Sequence, residues 1–254
     1  MKKIYLALTC MASLMMMTAC GGDKKPNASD TENENTEVVE NAEEQSEESE
    51  GEEASEEAVA NPADAQALDL KVIYESGDFK PAEGIFFADD LSAEEDGELP
   101  SKWDLKEGSM EVNACAGRNI LKFGGSGTLI EPQLNGGMPD IWNLEYEYFR
   151  TPDAAQEIHF FDGEDQFGHI YIYLDYVQYW FTKTNDESLD GQSQNLEKVM
   201  KQGWNHIAVS YNKGGVKIFV NGKRIANLPG IKPLKNFHIY GSEGLYITNV
   251  RVTM

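Results

Sequence analysis

The chain has 254 residues and a formal net charge of -23 at pH 7. Its length permits one or two domains. Because phosphate binding requires clustered Lys and Arg, the acidic balance argues against nucleic acid as a partner.

Residues 1–19 are predicted to be an export signal. Met1-Lys2-Lys3 is a short basic start, residues 4–17 are largely apolar, and small residues follow. This order is typical of a secretory signal peptide, and the apolar stretch is short for a membrane span. The alternative is ordinary secretion with cleavage at another position.

The segment Met17-Thr18-Ala19-Cys20 resembles the lipobox of bacterial lipoproteins, in which the Cys becomes the acylated first residue of the mature chain. Met17 departs from the usual Leu. The resemblance implies lipidation of Cys20, with palmitate among its acyl chains. Since each buried CH2 contributes roughly 0.8 kcal/mol, several chains would anchor the protein stably. We expect an anchor in the outer membrane, with the domain on its periplasmic or cell-surface side.

Residues 20–67 are predicted to be a disordered acidic linker that follows directly from the lipidated Cys. No Lys or Arg occurs from Pro26 to Leu68, while Glu and Asp crowd the stretch from Asp30 to Glu57. Such a segment cannot bury enough apolar surface to offset its ordering entropy. Because like charges repel and extend a chain, we interpret it as a stalk between membrane and domain.

Residues 68–254 are predicted to form one all-β domain. Apolar side chains alternate along 143–149, 169–181, 205–211 and 216–220, as they do in half-buried strands. Asn221-Gly222 predicts a type I′ hairpin between 215–220 and 223–226. Closing strands are expected at 237–240 and 245–252, with a bulge near Asn249. Residues 195–201 are the best helical segment, and Cys115 is predicted to be a small buried hydrophobe rather than a nucleophile.

Two segments resemble laminin-G-like, concanavalin A-like jelly rolls. The first runs from Trp204 to Tyr211, and the second from Gly214 to Lys223 ends in Val-Asn-Gly-Lys. Residues 85–91 and 97–105 are similar to the opening of a Bacteroidetes family of such domains, which often lie beside outer-membrane-protein-A-type domains. The resemblance covers residues 70–254 and implies a jelly-roll β-sandwich. It does not decide the function, since jelly rolls serve as lectins, hydrolases and spacers alike.

Polar and aromatic side chains opposite the apolar faces predict a ligand surface. Sugars stack their CH groups on aromatic rings while carboxylates and amides bind the hydroxyls. If the strands pair in one sheet, these side chains form a continuous surface. The alternative is that aromatic residues are simply favoured in strands. The predicted ligand residues are Glu145, Glu147, His159, His169, Tyr171, Tyr173, Gln178 and Trp180.

Two acidic pairs suggest two further kinds of site. Glu145 and Glu147 would lie about 6.5–7 Å apart along one strand face, which could suit a glycoside hydrolase, although such spacing is common by chance and a solvated polar face is the favoured explanation. Asp89 and Asp90 resemble the early acidic pair of related jelly rolls, which would allow a calcium ion. Thr248 stands where the closing strand of those relatives often offers an Asp.

The sequence therefore predicts a non-catalytic cell-envelope lipoprotein whose jelly roll binds a glycan or another envelope component. The first alternative is a structural or assembly lipoprotein that docks on an envelope protein. The second alternative is a glycoside hydrolase that uses Glu145 and Glu147.

Overall fold

The structure is a computed structural model, and it describes residues 61–254. The predicted signal peptide, Cys20 and most of the acidic linker lie outside the described residues. Within them the chain forms one helix and thirteen strands: α1 (Leu70–Ser76), β1 (Ile85–Asp89), β2 (Trp103–Cys115), β3 (Arg118–Pro132), β4 (Ile141–Arg150), β5 (Gln156–Asp162), β6 (Asp165–Ile172), β7 (Val177–Thr182), β8 (Ser188–Ser193), β9 (Asn205–Asn212), β10 (Gly215–Val220), β11 (Lys223–Leu228), β12 (Asn236–Gly241) and β13 (Leu245–Thr253).

The strands are antiparallel and follow the order β11-β10-β9-β4-β13-β3-β12-β5-β6-β7-β8, with β1 on β13 and β2 on β3. The long strand β3 joins two layers. Its first part pairs with β13 at Leu121 and Lys122, and its last part pairs with β12 at 128–130. Gly125, at φ 71°, lies between these parts and adopts a conformation that glycine reaches without strain. The first layer therefore runs from β11 to β3, and the second from β3 to β8.

The two layers share one apolar interior. Trp142 of β4 stacks on Phe160 of β5 with ring centroids 5.8 Å apart. Val209, Ile218 and Val220, which the alternation assigned to an inner face, are fully buried. Burying each such side chain contributes about 1.5–3 kcal/mol. The predicted all-β jelly-roll sandwich is confirmed.

The hairpin and the bulge are also confirmed. Asn221 and Gly222 have φ angles of 46° and 79°, as a type I′ turn requires, and Val220 pairs with Lys223 across the turn. Strand β11 continues two residues beyond the predicted end. The register of β13 against β4 shifts between Thr248 and Arg251, and Asn249 lies there at φ 52°.

The single strand predicted at 169–181 is wrong. The chain turns back between β6 and β7, and the amide of Tyr173 donates to the carbonyl of Tyr176 at 3.0 Å. Leu174, which the alternation placed inside, lies in this turn and is 51% exposed. The alternation predicted one long strand because apolar and aromatic residues continue through the turn, which contains no Gly or Pro. The register still keeps the predicted outer side chains on one face, because Tyr171 pairs with Gln178.

The helix predicted at 195–201 is reduced to a single turn, in which the amide of Met200 donates to the carbonyl of Leu196 at 2.7 Å. The helix that does form, α1, was not predicted because seven residues are too few to show a period. It starts at Asp69, whose carboxylate accepts from the amide of Val72 at 3.2 Å. No helix within residues 61–254 is long and apolar enough to cross a bilayer.

Residues 61–79, called the strap here, cover the outer face of the first layer. Phe79 packs against Ala208 and Phe219. The carbonyl of Pro62 accepts from the indole of Trp204 at 3.1 Å, and Ala65 packs against the same cluster. Residues 61–67, assigned to the linker from their composition, thus contact the domain in the structure.

That cluster also contains Cys115. Its thiol is buried beside Ile120, Phe149 and Trp204, and burial raises its pKa. This is the inert, buried environment that the sequence predicted for it.

Candidate functional site

The outer face of the second layer carries two rows of aromatic and polar side chains. They arise from strict alternation: on β5, Ile158 and Phe160 enter the core, while Glu157 and His159 face outward. Neighbouring strands continue each row through direct cross-strand pairs. We call these eight side chains the outer platform: His238, His159, His169 and Trp180 in one row, and Tyr240, Glu157, Tyr171 and Gln178 in the other.

A carboxylate and two imidazoles meet at the centre of the outer platform. Oε2 of Glu157 lies 2.9 Å from Nε2 of His159 and 2.7 Å from Nε2 of His169. The Glu157 side chain is 20% exposed and that of His169 is 9% exposed. Both imidazoles therefore share one carboxylate oxygen in a site that is open on one side.

Neighbouring aromatic rings fix the two imidazoles in place. The ring of Tyr171 stacks on His169 with centroids 3.8 Å apart, and the ring of Tyr240 lies parallel to His159 at 6.3 Å. Trp180 meets His169 edge-on at 6.1 Å. Because Tyr171, Trp180 and Tyr240 are only partly buried, part of each ring remains accessible.

Burial and hydrogen bonding set the charge of this cluster. Burial alone would raise the pKa of Glu157, but hydrogen bonds and charge from His159 and His169 outweigh it and lower that pKa to about 2. Burial lowers the pKa of His169 and of His238, which favours neutral imidazole. The cluster therefore holds an ionised carboxylate beside the neutral imidazole of His169.

A cleft of about 300 Å³ adjoins the outer platform, and its lining includes Glu157, Tyr171, Tyr173 and Arg150. The guanidinium of Arg150 donates to the carbonyls of Ile172, Pro152 and Thr151, and burial lowers its pKa. These carbonyls hold the cation at the rim of the cleft.

The predicted pair Glu145 and Glu147 is not part of this surface. Strands β13, β3 and β12 separate β4 from β5, so a continuous surface through all eight predicted residues does not form. Both carboxylates lie on the outer face of the first layer, and both are buried. The expectation of a solvated polar face was wrong, because the strap covers it.

Each of these buried carboxylates forms hydrogen bonds or an ion pair with neighbouring side chains. Oε2 of Glu145 accepts from Tyr74 at 2.7 Å and lies 2.8 Å from Nε2 of His206. Burial alone would raise the pKa of Glu145, but His206 and the charge of Arg251 lower it overall. Glu147 binds the guanidinium of Arg118 at 2.7 Å. A polysaccharide therefore cannot reach either carboxylate in this structure.

Comparison with known proteins agrees with the architecture. Residues 148–247 match the family model described as the concanavalin A-like lectin/glucanases superfamily. The resemblance to laminin-G-like, concanavalin A-like jelly rolls is confirmed. No curated protein matches the sequence. The Bacteroidetes origin and the association with outer-membrane-protein-A-type domains stay predictions.

Solved structures with a related shape include toxin domains and an enzyme. The botulinum neurotoxin serotype D binding domain is 12% identical, over 71% of this chain and 49% of that chain, with a TM-score of 0.48. The serotype D ligand binding domain in complex with N-acetylneuraminic acid is 10% identical over the same shares, also at 0.48. Apo Crh5 transglycosylase is 11% identical, over 70% of this chain and 89% of that chain, at 0.47. The chain spans about half the length of the neurotoxin domains, and likeness at this level does not identify a ligand.

In the jelly-roll domain, Asp89 lies at the end of β1 and is buried. Its carboxylate accepts from the indole of Trp103 at 2.8 Å and from the amide of Leu91 at 3.2 Å, and Nζ of Lys102 lies 3.7 Å away. Asp90 is exposed and accepts from the amide of Ser92 at 3.0 Å.

The surroundings of Asp89 and Thr248 determine whether a calcium ion fits beside them. Both line one small cavity, but the hydroxyl of Thr248 donates to the carbonyl of Asn119. Calcium takes six to eight oxygen ligands. Because the oxygens of Asp89 already have partners and a lysine ammonium lies beside them, these residues do not fit the ion well. Calcium at Asp89 and Asp90 stays a prediction.

Of the predicted ligand residues, Tyr173 lines the adjoining cleft. Five others lie on the outer platform: His159, His169, Tyr171, Gln178 and Trp180. Three platform residues were not predicted: Glu157, His238 and Tyr240. The alternation of β5 could have indicated Glu157, since it lies two residues from His159. Nothing local indicated His238 and Tyr240, because their strand joins β5 from more than seventy residues further along the chain.

Proposed function

We propose that this chain is a non-catalytic lipoprotein of the cell envelope whose laminin-G-like domain binds a glycan on the outer platform. The observation that carries the proposal is the combination of partly accessible rings at Tyr171 and Trp180 with the carboxylate of Glu157 and the amide of Gln178. Rings of this kind receive the CH faces of sugars, and the polar groups bind hydroxyls.

The proposal of a non-catalytic role is supported by the burial of Glu145 and Glu147. Retaining glycosidases need two carboxylates that flank the scissile bond about 5 Å apart. Here the strap and the partners of both side chains keep a substrate away from them. Hydrolysis by this pair would require the strap to leave the first layer.

Glycan-array binding of the full chain tests the proposed function. We expect Trp180→Ala and Tyr171→Ala each to lose at least ten-fold in affinity for whichever glycan the wild type binds. Tyr246→Ala is the matched control, because Tyr246 is a partly buried aromatic residue that packs against Phe149 in the first layer. Absence of binding to any glycan, or equal loss in all three variants, would overturn the proposal.

The export signal and the Met17–Cys20 segment support an outer-membrane anchor at Cys20. On this proposal the acidic linker holds the domain away from the bilayer. If the domain instead docks on an envelope protein, capture of that protein from native membranes will not be reduced by competing sugar.

A further inference from the structure

The centre of the outer platform combines three groups that bind metal ions in many proteins. We propose that Glu157, His159 and His169 together hold one divalent transition-metal ion, of which Zn²⁺ is the representative. The inference goes beyond glycan binding and does not depend on it, because it rests on the three side chains alone.

The distances fit a small metal ion. One ligand atom from each of the three residues lies within 4.8 Å of the other two. Oε2 of Glu157 is 2.7 Å and 2.9 Å from the two Nε2 atoms. Ligands bound to zinc at about 2.0–2.1 Å in tetrahedral geometry are roughly 3.3 Å apart. The two imidazoles therefore need to move outward by only about half an ångström to admit the ion.

The donor atoms select the class of ion. Two imidazole nitrogens and one carboxylate suit zinc, copper, nickel or cobalt, whereas calcium requires six to eight oxygens. Three protein ligands leave a fourth position for water or for an oxygen of a bound molecule, as in zinc sites that are open on one side.

The rigid sheet holds the three ligands in place before an ion binds. Glu157 and His159 lie two residues apart on β5, and His169 is the direct cross-strand neighbour of His159 on β6. Tyr171 and Tyr240 stack on the two imidazoles. A site on paired strands with packed rings loses little conformational entropy when the ion enters.

Metal binding requires one particular tautomer of each imidazole. Each imidazole must offer a free Nε2 lone pair to the ion, so in a neutral ring the hydrogen that now lies between Nε2 and Glu157 moves to Nδ1, and Nε2 bonds the ion in its place. The facing groups on adjoining strands are His238 and Tyr240 on β12, and Trp180 and Gln178 on β7.

Calorimetric titration of the full, untagged chain with zinc chloride, without any sugar, tests the proposal. We expect one zinc ion per chain, and at least ten-fold weaker binding in Glu157→Gln, His159→Gln and His169→Gln. His238→Gln is the matched control, since this imidazole lies on the same platform but pairs with Glu131 at 3.6 Å. We expect it to bind zinc as the wild type does. Because every variant retains Cys10, Cys20 and the acidic linker, any ion bound there is the same in all of them.

The proposal is overturned if the wild type shows no saturable zinc binding, or if the three ligand variants bind zinc as tightly as His238→Gln does. If a ligand variant fails to fold, the visible spectrum of the wild type with cobalt decides. Strong tetrahedral bands without thiolate charge transfer support the site, and weak octahedral bands contradict it. The two proposals can fail separately. If the wild type binds no zinc but still binds a glycan after treatment with a metal chelator, the metal site is refuted and the proposed function stands.

Discussion

His206 and Glu145 lie diagonally across two adjacent strands with Nε2 and Oε2 2.8 Å apart, and each side chain is only 1% exposed. The hydroxyl of Tyr74 donates to the same carboxylate oxygen, and the guanidinium of Arg251 lies 3.1 Å from the other oxygen. The strap therefore supplies one of the hydrogen bonds that this buried carboxylate needs, and it covers a polar cluster that would otherwise face water.

Replacing one residue of the His206–Glu145 pair should lower the stability of the fold. We expect His206→Ala to lower the free energy of unfolding by about 3–5 kcal/mol, because it leaves the buried carboxylate of Glu145 short of a partner. Lys71→Ala is the control, since its ion pair with Glu75 is exposed and should contribute less than about 1 kcal/mol. Urea unfolding followed by tryptophan fluorescence measures both, and equal losses would contradict the role of the buried pair.

Docking of the strap should depend on Phe79. This side chain is 1% exposed and packs against Phe219 with ring centroids 5.2 Å apart. We expect Phe79→Ala to cost about 3–5 kcal/mol, whereas Val72→Ala, at a side chain that is 54% exposed, should change stability by no more than about 0.5 kcal/mol. Urea unfolding measures the free energy of unfolding of both variants. A decrease below about 1 kcal/mol for Phe79→Ala would show that docking of the strap contributes little to stability.

A substitution at Gly222 tests whether the turn of the β10–β11 hairpin packs against helix α1. Its φ of +79° strains any other residue, and an added Cβ would lie 2.8 Å from the carbonyl oxygen of Ile73. Gly117, at +84°, has the same backbone strain but open space around it. We expect Gly117→Ala to cost about 1 kcal/mol and Gly222→Ala distinctly more. Equal decreases of the thermal unfolding midpoint in Gly117→Ala and Gly222→Ala would show that α1 does not pack tightly against the turn.

The pKa of Glu157 predicts a loss of stability in acid. Because that pKa is lowered from 4.5 to about 2 in the folded chain, the ionised carboxylate stabilises the fold above pH 4.5, and this contribution disappears as the pH falls through about 2. We expect the urea midpoint of the wild type to drop more steeply below pH 4.5 than that of Glu157→Gln. The exposed carboxylate of Glu83 provides the control, and Glu83→Gln should follow the wild type.

Lipidation should depend on Cys20 alone. We expect Cys20→Ser to move the chain from the membrane fraction to the soluble fraction and to abolish labelling by a palmitate analogue. Cys10→Ser should leave both unchanged, because Cys10 lies within the predicted signal peptide. Membrane association that persists in Cys20→Ser would contradict the proposed anchor.

Several features of the domain could be predicted from the sequence because they depend on near neighbours. Alternation at Ile207, Val209 and Tyr211 determines which face of a strand enters the core, whatever that strand pairs with. Asn221-Gly222 determines a hairpin because both residues tolerate positive φ. The shift of apolar phase around Asn249 predicted the bulge, which the structure places there.

The sequence by itself thus determined the all-β fold, the inner faces and the turn chemistry, since these are local consequences of side-chain period and backbone freedom. Only the tertiary structure decided that Glu157 meets both His159 and His169, that His238 and Tyr240 complete their surface, and that the strap buries Glu145. The physical reason is that these contacts depend on strand order and on a covering segment, and both result from pairing between distant parts of the chain. A pattern within one strand shows which side chains share a face, but it does not show what lies against that face.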